Sequence, residues 1–484
     1  MRGLKCHKCL YLNKYAKDLR DKTSDSQQYI FDQGKEIGLF AQQLFPNGID
    51  LTPKDYTDYS ESISKTAELI RNKEKIIYEA AFLFDDVLCA IDILTFDGID
   101  YRAYEVKSST SISEAHILDA SVQFYIISNC GVNLKDISVI HLNNQYVRAG
   151  ELNVKELFKI ESILAQVLEK QRSIPNNIKT FKEILELKNA PEVKIGNQCF
   201  NPYQCDFMGH CWQHIPEHSV FDIANLTLNK KFSLFNNGVI KLSDITDEIK
   251  KEYLNDKQIM QIEADLEGRK IIDEVRISNF ISDLRYPLYF LDFETMMLAI
   301  PIYNNQRPYQ QIVFQYSLHL VEDTDVIKRH SEFLADPTDG DPRIKFIERL
   351  ITDCGSNGDI LTYNMSFEKT RLKELIRDFP AYSIQLQLII DRIKDLMVPF
   401  KEYWYYAPSM KGSYSIKKVL PELVPELSYQ NIEIKDGGTA STLYSMMVTN
   451  SFSGDIENAR KNLLTYCHLD TLAMVKILEK LRAI

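Results

Sequence analysis

Three groups of residues have the types and spacing of chemical sites. The first is Asp92 in CAIDIL with Glu105 and Lys107 in YEVKSS. Side chains alternate along a strand, so Glu105 and Lys107 share a face. Asp92 stands between Ile91 and Ile93, where a carboxylate is costly unless paired or metal-bound. An aspartate on one strand and Glu-x-Lys on the next can hold a divalent cation and leave an ammonium beside an attacked phosphate. The cation would activate water and the lysine would stabilise developing charge. The plain alternative is a salt bridge on a half-exposed sheet face.

The second group is cysteine. Cys199, Cys205 and Cys211 are separated by five residues each in CFNPYQCDFMGHCW, a stretch with loop residues Pro202 and Gly209. A fourth donor is available near the N-terminus in GLKCHKCLYL, where Cys6 and Cys9 could both reach and His7 and His210 add zinc-compatible nitrogens. Four thiolates suit a 4Fe–4S cluster or a zinc ion. Four free buried cysteines are the competing reading, but a polar loop is a poor place for them.

The third group is acidic. PLYFLDFE is an apolar strand that ends with Asp292 and Glu294 on one face. Tyr466 and Asp470 are one helical turn apart in YCHLD. YNMSFE between them offers Asn364 and Glu368 at a strand end and helix start. Such acids could hold two metal ions about 4 Å apart for in-line phosphodiester hydrolysis, with Tyr466 orienting the attacking water. Taken singly, each acid could be a helix cap or a surface charge.

Periodicity supplies the elements that must position these groups. Phe31, Gly34, Ile37, Ala41 and Leu44 recur at helical spacing before the turn signal Pro46-Asn47-Gly48. IIYEAAFLF, VLCAIDILTF and YRAYEVKSS then read as three strands, followed by a helix over 114–129 and the strand ISVIHL. Helices are expected over 154–171 and 177–188, ahead of the cysteine loop. Residues 219–284 read as a charged helical connector without a chemical motif. A second block follows: strands PLYFLDFE, QIVFQYSLHLV and DILTYN, helices at 344–352 and from Phe367, and a last helix through YCHLDTLAMVKILEKL. This suits a mixed α/β architecture without internal repeats.

The chain has 484 residues, 45% hydrophobic content and a net charge of −11. That length suggests about three domains, or two with insertions, at roughly 150 residues each. The composition excludes a disordered or fibrous chain. No apolar run approaches the roughly 18 residues of a membrane span. MRGLKCHKCLYLNKY lacks an apolar signal core, so a cytoplasmic protein is expected. Nine cysteines in that setting argue for thiols or metal ligation over disulfides. The acidic balance counts against a passive nucleic-acid coat but not against a nuclease, whose carboxylates hold cations.

The order Asp, Glu-x-Lys, then a helix bearing Gln123 resembles the PD-(D/E)XK nuclease core of the RecB type. Relatives often carry a tyrosine one turn after the glutamine, where this chain has Ile127 with Tyr125 nearby. Many also have a metal-binding histidine on the first helix. Glu36 and Gly38 stand near that place here, and Glu79 in IIYEAAF is a substitute ligand. The cysteines resemble those of iron–sulfur nucleases such as AddB and the RecB-like CRISPR adaptation nucleases, with one cysteine before the domain and three after. The resemblance selects Cys6, which follows Gly-Leu-x, and leaves Cys9 a bystander.

Asp292, Glu294, Glu368, Tyr466 and Asp470 resemble the motifs of the DnaQ and RNase D group of DEDD 3′–5′ exonucleases, tyrosine branch, on a ribonuclease-H-like fold. Glu368 stands where that family usually has aspartate. Asp395 and Lys417 match positions that line the strand-binding cleft, in a positioning role. FLDFET, PYQQIVFQYS and GSYSIKKVLP make nearly the whole chain similar to a bacterial family of unknown function.

These resemblances imply a PD-(D/E)XK restriction-endonuclease-like domain with an Fe–S cluster over 1–218, a helical connector over 219–285, and a ribonuclease-H-like DEDD domain over 286–484. The expected catalytic residues are Asp92, Glu105, Lys107, Gln123, Asp292, Glu294, Glu368, Tyr466 and Asp470. Mg²⁺ or Mn²⁺ would bind the acids Asp92, Glu105, Asp292, Glu294, Glu368 and Asp470. Cys6, Cys199, Cys205 and Cys211 would hold a 4Fe–4S cluster, with zinc as the alternative. The expected activity is metal-dependent hydrolysis of DNA, single-stranded or with free ends, in repair or defence against foreign DNA. The other readings are an exoribonuclease, an inactive Fe–S first domain that only grips DNA for a single exonuclease, and a zinc-stapled scaffold.

Overall fold

The computed structural model describes residues 1–322, 326–430 and 432–484. It is a mixed α/β protein that divides into two units. One comprises Met1–Gln213 and Leu298–Gln310, the other His214–Met297 and Gln311–Ile484. No helix among the described residues is long and apolar enough to cross a membrane.

The first unit is built on six strands in sequential order: β1 (Ile49–Asp50), β2 (Ile76–Phe84), β3 (Val87–Phe96), β4 (Tyr101–Lys107), β5 (Leu134–Leu142) and β6 (Phe158–Ser162). β2, β3 and β4 form an antiparallel meander, whereas β4 and β5 are parallel. A parallel pair needs a crossover, and the helix Glu114–Asn129 supplies it. Ile77, Ile91 and Ala103 of the sheet and Ile126 and Ile127 of this helix form one buried core.

One expected helix is not there. The stretch 154–171 forms a short helix Val154–Leu157, the strand β6 and a second helix Leu164–Lys170. β6 pairs antiparallel with β5 from Phe158↔Leu142 to Ser162↔Ser138. The ladder hydrogen bonds of an otherwise open edge outweigh the weak helical period of FKIES, and its Lys159 and Glu161 suit a sheet edge.

The second unit adds β7 (Ile271–Ile272), β8 (Leu288–Met297), β9 (Gln311–Val321), β10 (Ile327–Leu334), β11 (Asp359–Thr362), β12 (Ile393–Asp395) and β13 (Tyr405–Tyr406). Five of them form a sheet in the order β10-β9-β8-β11-β12, and β7 pairs with β13. β9 runs antiparallel to β8 and β10, while β8, β11 and β12 are mutually parallel. Both faces of β8 are covered. Leu288 and Phe290 pack with Ala473 and Ile477 of the final helix Ile456–Arg482 on one face. Leu291 and Phe293 pack with Phe346, Ile347 and Leu372 on the other. A strand buried on both faces explains why PLYFLDFE reads as a continuous apolar run.

The stretch expected to be a connector is part of this unit. Ala224, Ala264, Ile277 and Leu284 belong to the same core as Phe290. The first unit in turn contains Leu298–Gln310, in which Ala299 joins the core of Tyr78 and Ile93. Arg148 Nη1 donates to the Pro301 carbonyl at 2.9 Å, and the Tyr309 hydroxyl donates to the Ser108 carbonyl.

Candidate functional site

In the first unit, Glu105 and Lys107 close β4 and Asp92 lies in β3 beside them. The Val106 amide donates to Asp92 Oδ2 at 2.5 Å. Lys107 Nζ donates to Glu105 Oε1 at 2.7 Å and to Asp119 Oδ2 at 2.9 Å. Gln123 Nε2 donates to Glu105 Oε2 at 2.9 Å. All four expected residues converge, and Asp119 joins them. Asp119 is four residues before Gln123, so both face the sheet from one side of the crossover helix. That spacing was the signal by which it could have been found.

Glu79 completes the group. Tyr78 pairs with Ile93 and Ala80 with Ile91, which sets Glu79 opposite Asp92. Its φ of +52° is a left-handed conformation in mid-strand, costly for a residue with a Cβ. Burial, then the facing carboxylates of Glu105 and Asp50, push its pKa up to about 7. Burial, then Glu105 and Glu79, push Asp92 well above the carboxylate range. Burial raises Glu105 as well. Burial works against the Lys107 ammonium, but Glu105 and Asp119 outweigh it and hold its pKa above the usual lysine range.

The cysteines also meet. Cys6, Cys9, Cys199, Cys205 and Cys211 line one cavity with Val193, Ile195 and Phe207. Cys9 is not outside this group: it is 3% exposed, and its thiol is hydrogen-bonded to Cys205. That bond is the first cause of a Cys205 pKa lowered to about 6, and it raises Cys9. Burial raises Cys6 and Cys211. All nine cysteines are free thiols. Five sulfur donors around one cavity have the ligand chemistry of a soft metal centre.

In the second unit, Asp292 and Glu294 project from β8 toward the final helix, which carries Tyr466 and Asp470. One carboxylate oxygen from each of Asp292, Glu294 and Asp470 lies within 4.8 Å of the others. Glu368, in the first turn of the helix Ser366–Asp378, is 1% exposed, and its Oε2 is buried without a hydrogen-bond partner. Burial, then Asp292, raises its pKa well above the usual range. Burial, then Asp470, does the same to Asp292. For Glu294 the causes are burial, then Asp292 and Asp470. Burial pushes Asp470 up to about 6 against opposing hydrogen bonds from Tyr429 and Tyr466.

Several residues surround these acids. The Tyr429 hydroxyl donates to Asp470 Oδ1 at 2.5 Å. Lys417 lies with its Nζ 6.0 Å from the Tyr466 ring centroid and donates to the Lys435 carbonyl. A Cβ built on Gly437, at the start of the helix Gly437–Val448, would come 3.4 Å from Glu294 Oε2. Asp395 Oδ1 accepts the amides of Asn364 and Met397, both at 3.0 Å. Asn364, at a φ of +76°, therefore turns β11 into the helix that carries Glu368. Tyr429 gave no signal in the sequence because it comes from irregular chain with no period.

The two units thus define a mixed α/β protein with two buried carboxylate clusters and a thiol cluster. Residues 289–415 match a domain of unknown function, DUF2779. The chain is 28% identical over 221 residues to the uncharacterized protein MG366 of Mycoplasma genitalium, covering 42% of this chain and 33% of that protein. It is 26% identical over 219 residues to the uncharacterized protein UU173 of Ureaplasma parvum serovar 3, covering 41% and 32%. The matched segment spans about a third of the length of these curated relatives. No solved structure matches the chain.

Proposed function

We propose that the protein is a metal-dependent nuclease with two hydrolytic heads acting on DNA. The first head is a PD-(D/E)XK domain clipped by a cysteine-bound Fe–S cluster, the second a ribonuclease-H-like DEDD exonuclease. The observation that carries the reading is the second acidic cluster. Three carboxylates within 4.8 Å and a fourth with a buried, unpartnered oxygen are stable together once protons or bound cations neutralise them, and at neutral pH and above that role falls to cations. The sheet order β10-β9-β8-β11-β12, with only β9 antiparallel to its neighbours within the β9-β8-β11-β12 set, supports the fold assignment.

In the second head, Asp292, Glu294, Glu368 and Asp470 would hold Mg²⁺ or Mn²⁺ through hard oxygen ligands. Bound there, such ions supply Lewis acidity toward the phosphate and a more acidic water. Tyr429 fixes the Asp470 carboxylate. Burial keeps the Tyr466 hydroxyl protonated, so it can orient water by donating or accepting a hydrogen bond. In the first head, Asp92, Glu105 and Glu79 form the acidic ligand set. Lys107 stays charged and stabilises negative charge on the phosphate, and Gln123 holds Glu105 in place. The thiols of Cys6, Cys199, Cys205 and Cys211, with Cys9 beside them, would hold the cluster, whose role is to join chain ends that are remote in sequence.

The test is digestion of end-labelled DNA and RNA with Mg²⁺ or Mn²⁺, comparing Lys107→Ala with Asp292→Asn. The expected products are 3′-end trimming lost in Asp292→Asn and a separate cleavage lost in Lys107→Ala. Wild-type activity in both variants and in their double variant overturns the reading. Trimming of RNA but not DNA would reassign the substrate. Anaerobically purified protein should contain iron and inorganic sulfide, which Cys6→Ser and Cys9→Ser should both deplete. Stoichiometric zinc without iron would make the thiol centre a zinc site.

A further inference from the structure

On the same face of the sheet as the second acidic cluster lies a group of three histidines with no part in the chemistry above. His319 in β9 and His330 in β10 are direct register partners, so their rings project from the same face. His468 comes down on them from the final helix. The ring centroids are 4.5 Å apart for His319 and His330, 4.8 Å for His319 and His468, and 4.4 Å for His330 and His468. One ring nitrogen from each lies within 4.8 Å of the other two. His468 Nδ1 and His330 Nε2 are 3.3 Å apart. Two imidazole nitrogens at tetrahedral zinc, each about 2.0–2.1 Å from the ion, are separated by roughly 3.3 Å.

The hydrogen bonds around the rings point the same way. His319 Nδ1 is 2.9 Å from Thr471 Oγ1, which orients the ring and makes Nε2 the nitrogen to offer a metal, the usual arrangement of a metal-bound imidazole. Thr471 Oγ1 is itself 2.6 Å from Ser317 Oγ. His330 Nε2 faces two partners, Ser317 Oγ at 2.9 Å and His468 Nδ1 at 3.3 Å. A ring nitrogen has either one hydrogen or one lone pair, so it can make only one good hydrogen bond there. A cation held by His330 Nε2 and His468 Nδ1 would take the place of the contact between them, and Ser317 Oγ would keep its bond to Thr471 Oγ1.

We propose that His319, His330 and His468 form a structural site for Zn²⁺, with solvent as the fourth ligand. Three imidazoles favour zinc over Mg²⁺ or Mn²⁺, which prefer oxygen. His319 is buried, while His330 and His468 are half-buried, which leaves one side of the site open to water. The ion would tie β9 and β10 to the final helix two residues before Asp470. It would then hold that helix at the sheet and take no part in hydrolysis. Zinc binding here does not depend on the nuclease reading, because the measurement is of metal and not of cleavage.

The test uses the full chain purified without a polyhistidine tag, stripped with a chelator and titrated with zinc. His330→Gln and His468→Gln are the variants, chosen because both positions are half-buried. Wild type should bind one more tight equivalent of zinc than either variant, and zinc should raise the thermal midpoint of wild type more than that of the variants. Equal zinc stoichiometry in wild type and both folded variants would overturn the site. Zinc-edge X-ray absorption of the wild-type chain requires no variant. It should show nitrogen ligands at about 2.0–2.1 Å, and sulfur alone at about 2.3 Å would overturn the site as well.

Discussion

The two acidic clusters solve the same electrostatic problem differently. In the first unit an ammonium is built in: Lys107 bonds Glu105 and Asp119, and Gln123 bonds the other Glu105 oxygen. In the second unit the acids face mainly one another, with Lys417 the positive charge that bears on Glu294 and Asp470. The first cluster is partly neutralised by its own side chains, whereas the second depends on what it binds. A cation should therefore matter more to the stability of the second unit than to that of the first.

The sharpest way to break this contrast is to remove one acid from the second cluster. Asp292→Asn should lower 3′-end hydrolysis by at least about 10²–10³-fold, assayed with Lys107→Ala in the background to silence the first head. Folding should be retained, since an acid held among acids is not there for stability. Undiminished trimming would mean that the cluster is not catalytic.

Lys107→Ala should lower cleavage by the first head by about 10²-fold while cation binding persists, because the lysine is not a ligand. Calorimetry with Mn²⁺ checks the second half of that statement. Loss of binding together with cleavage would show that Lys107 instead organises the acids.

The pH dependence of stability separates the clusters next. The folded pKa of Asp470 is about 6, above its ordinary 3.8, so between these values the folded chain binds more protons than the unfolded chain. Stability from this group is therefore fully present at low pH and is lost as pH rises through about 6. Divalent cations should raise the thermal midpoint more at pH 8 than at pH 5, and Asp292→Asn should reduce that difference. An equal rise at both pH values would argue against cation binding by these acids.

The smallest effect expected is that of Tyr429→Phe. It removes one hydrogen bond to a charged carboxylate, worth about 1.5–3 kcal/mol, so hydrolysis should slow by roughly 10- to 10²-fold with cation binding largely kept. A loss as large as that of Asp292→Asn would make Tyr429 part of the reacting centre.

Much of this was written in local pattern. β2, β3, β4 and the crossover helix follow directly from alternation and turn residues, because each has one face committed to a core. Asp92, Glu105, Lys107 and Gln123 could be grouped because strand and helix periods fix which side chains share a face. β6 was obscured because pairing to an edge, not local preference, decides it. Tyr429 and the three histidines were invisible for a related reason. They come from separate segments, and only register and helix docking bring them together. The same holds for Ala224 and Ile277, whose stretch looks like a charged linker until the apolar positions are seen to enter the second unit's core.

The segment Leu298–Gln310 bears on how the chain is made. It belongs to the first unit but lies between β8 and β9 of the second. A ribosome that has delivered Gln213 must add almost a hundred more residues before the first unit can close, roughly 5–20 s of synthesis. During that interval the apolar strand β8 emerges before its partner β9 exists. Neither unit is a continuous stretch of message, so an early stop after residue 213 would yield neither unit whole.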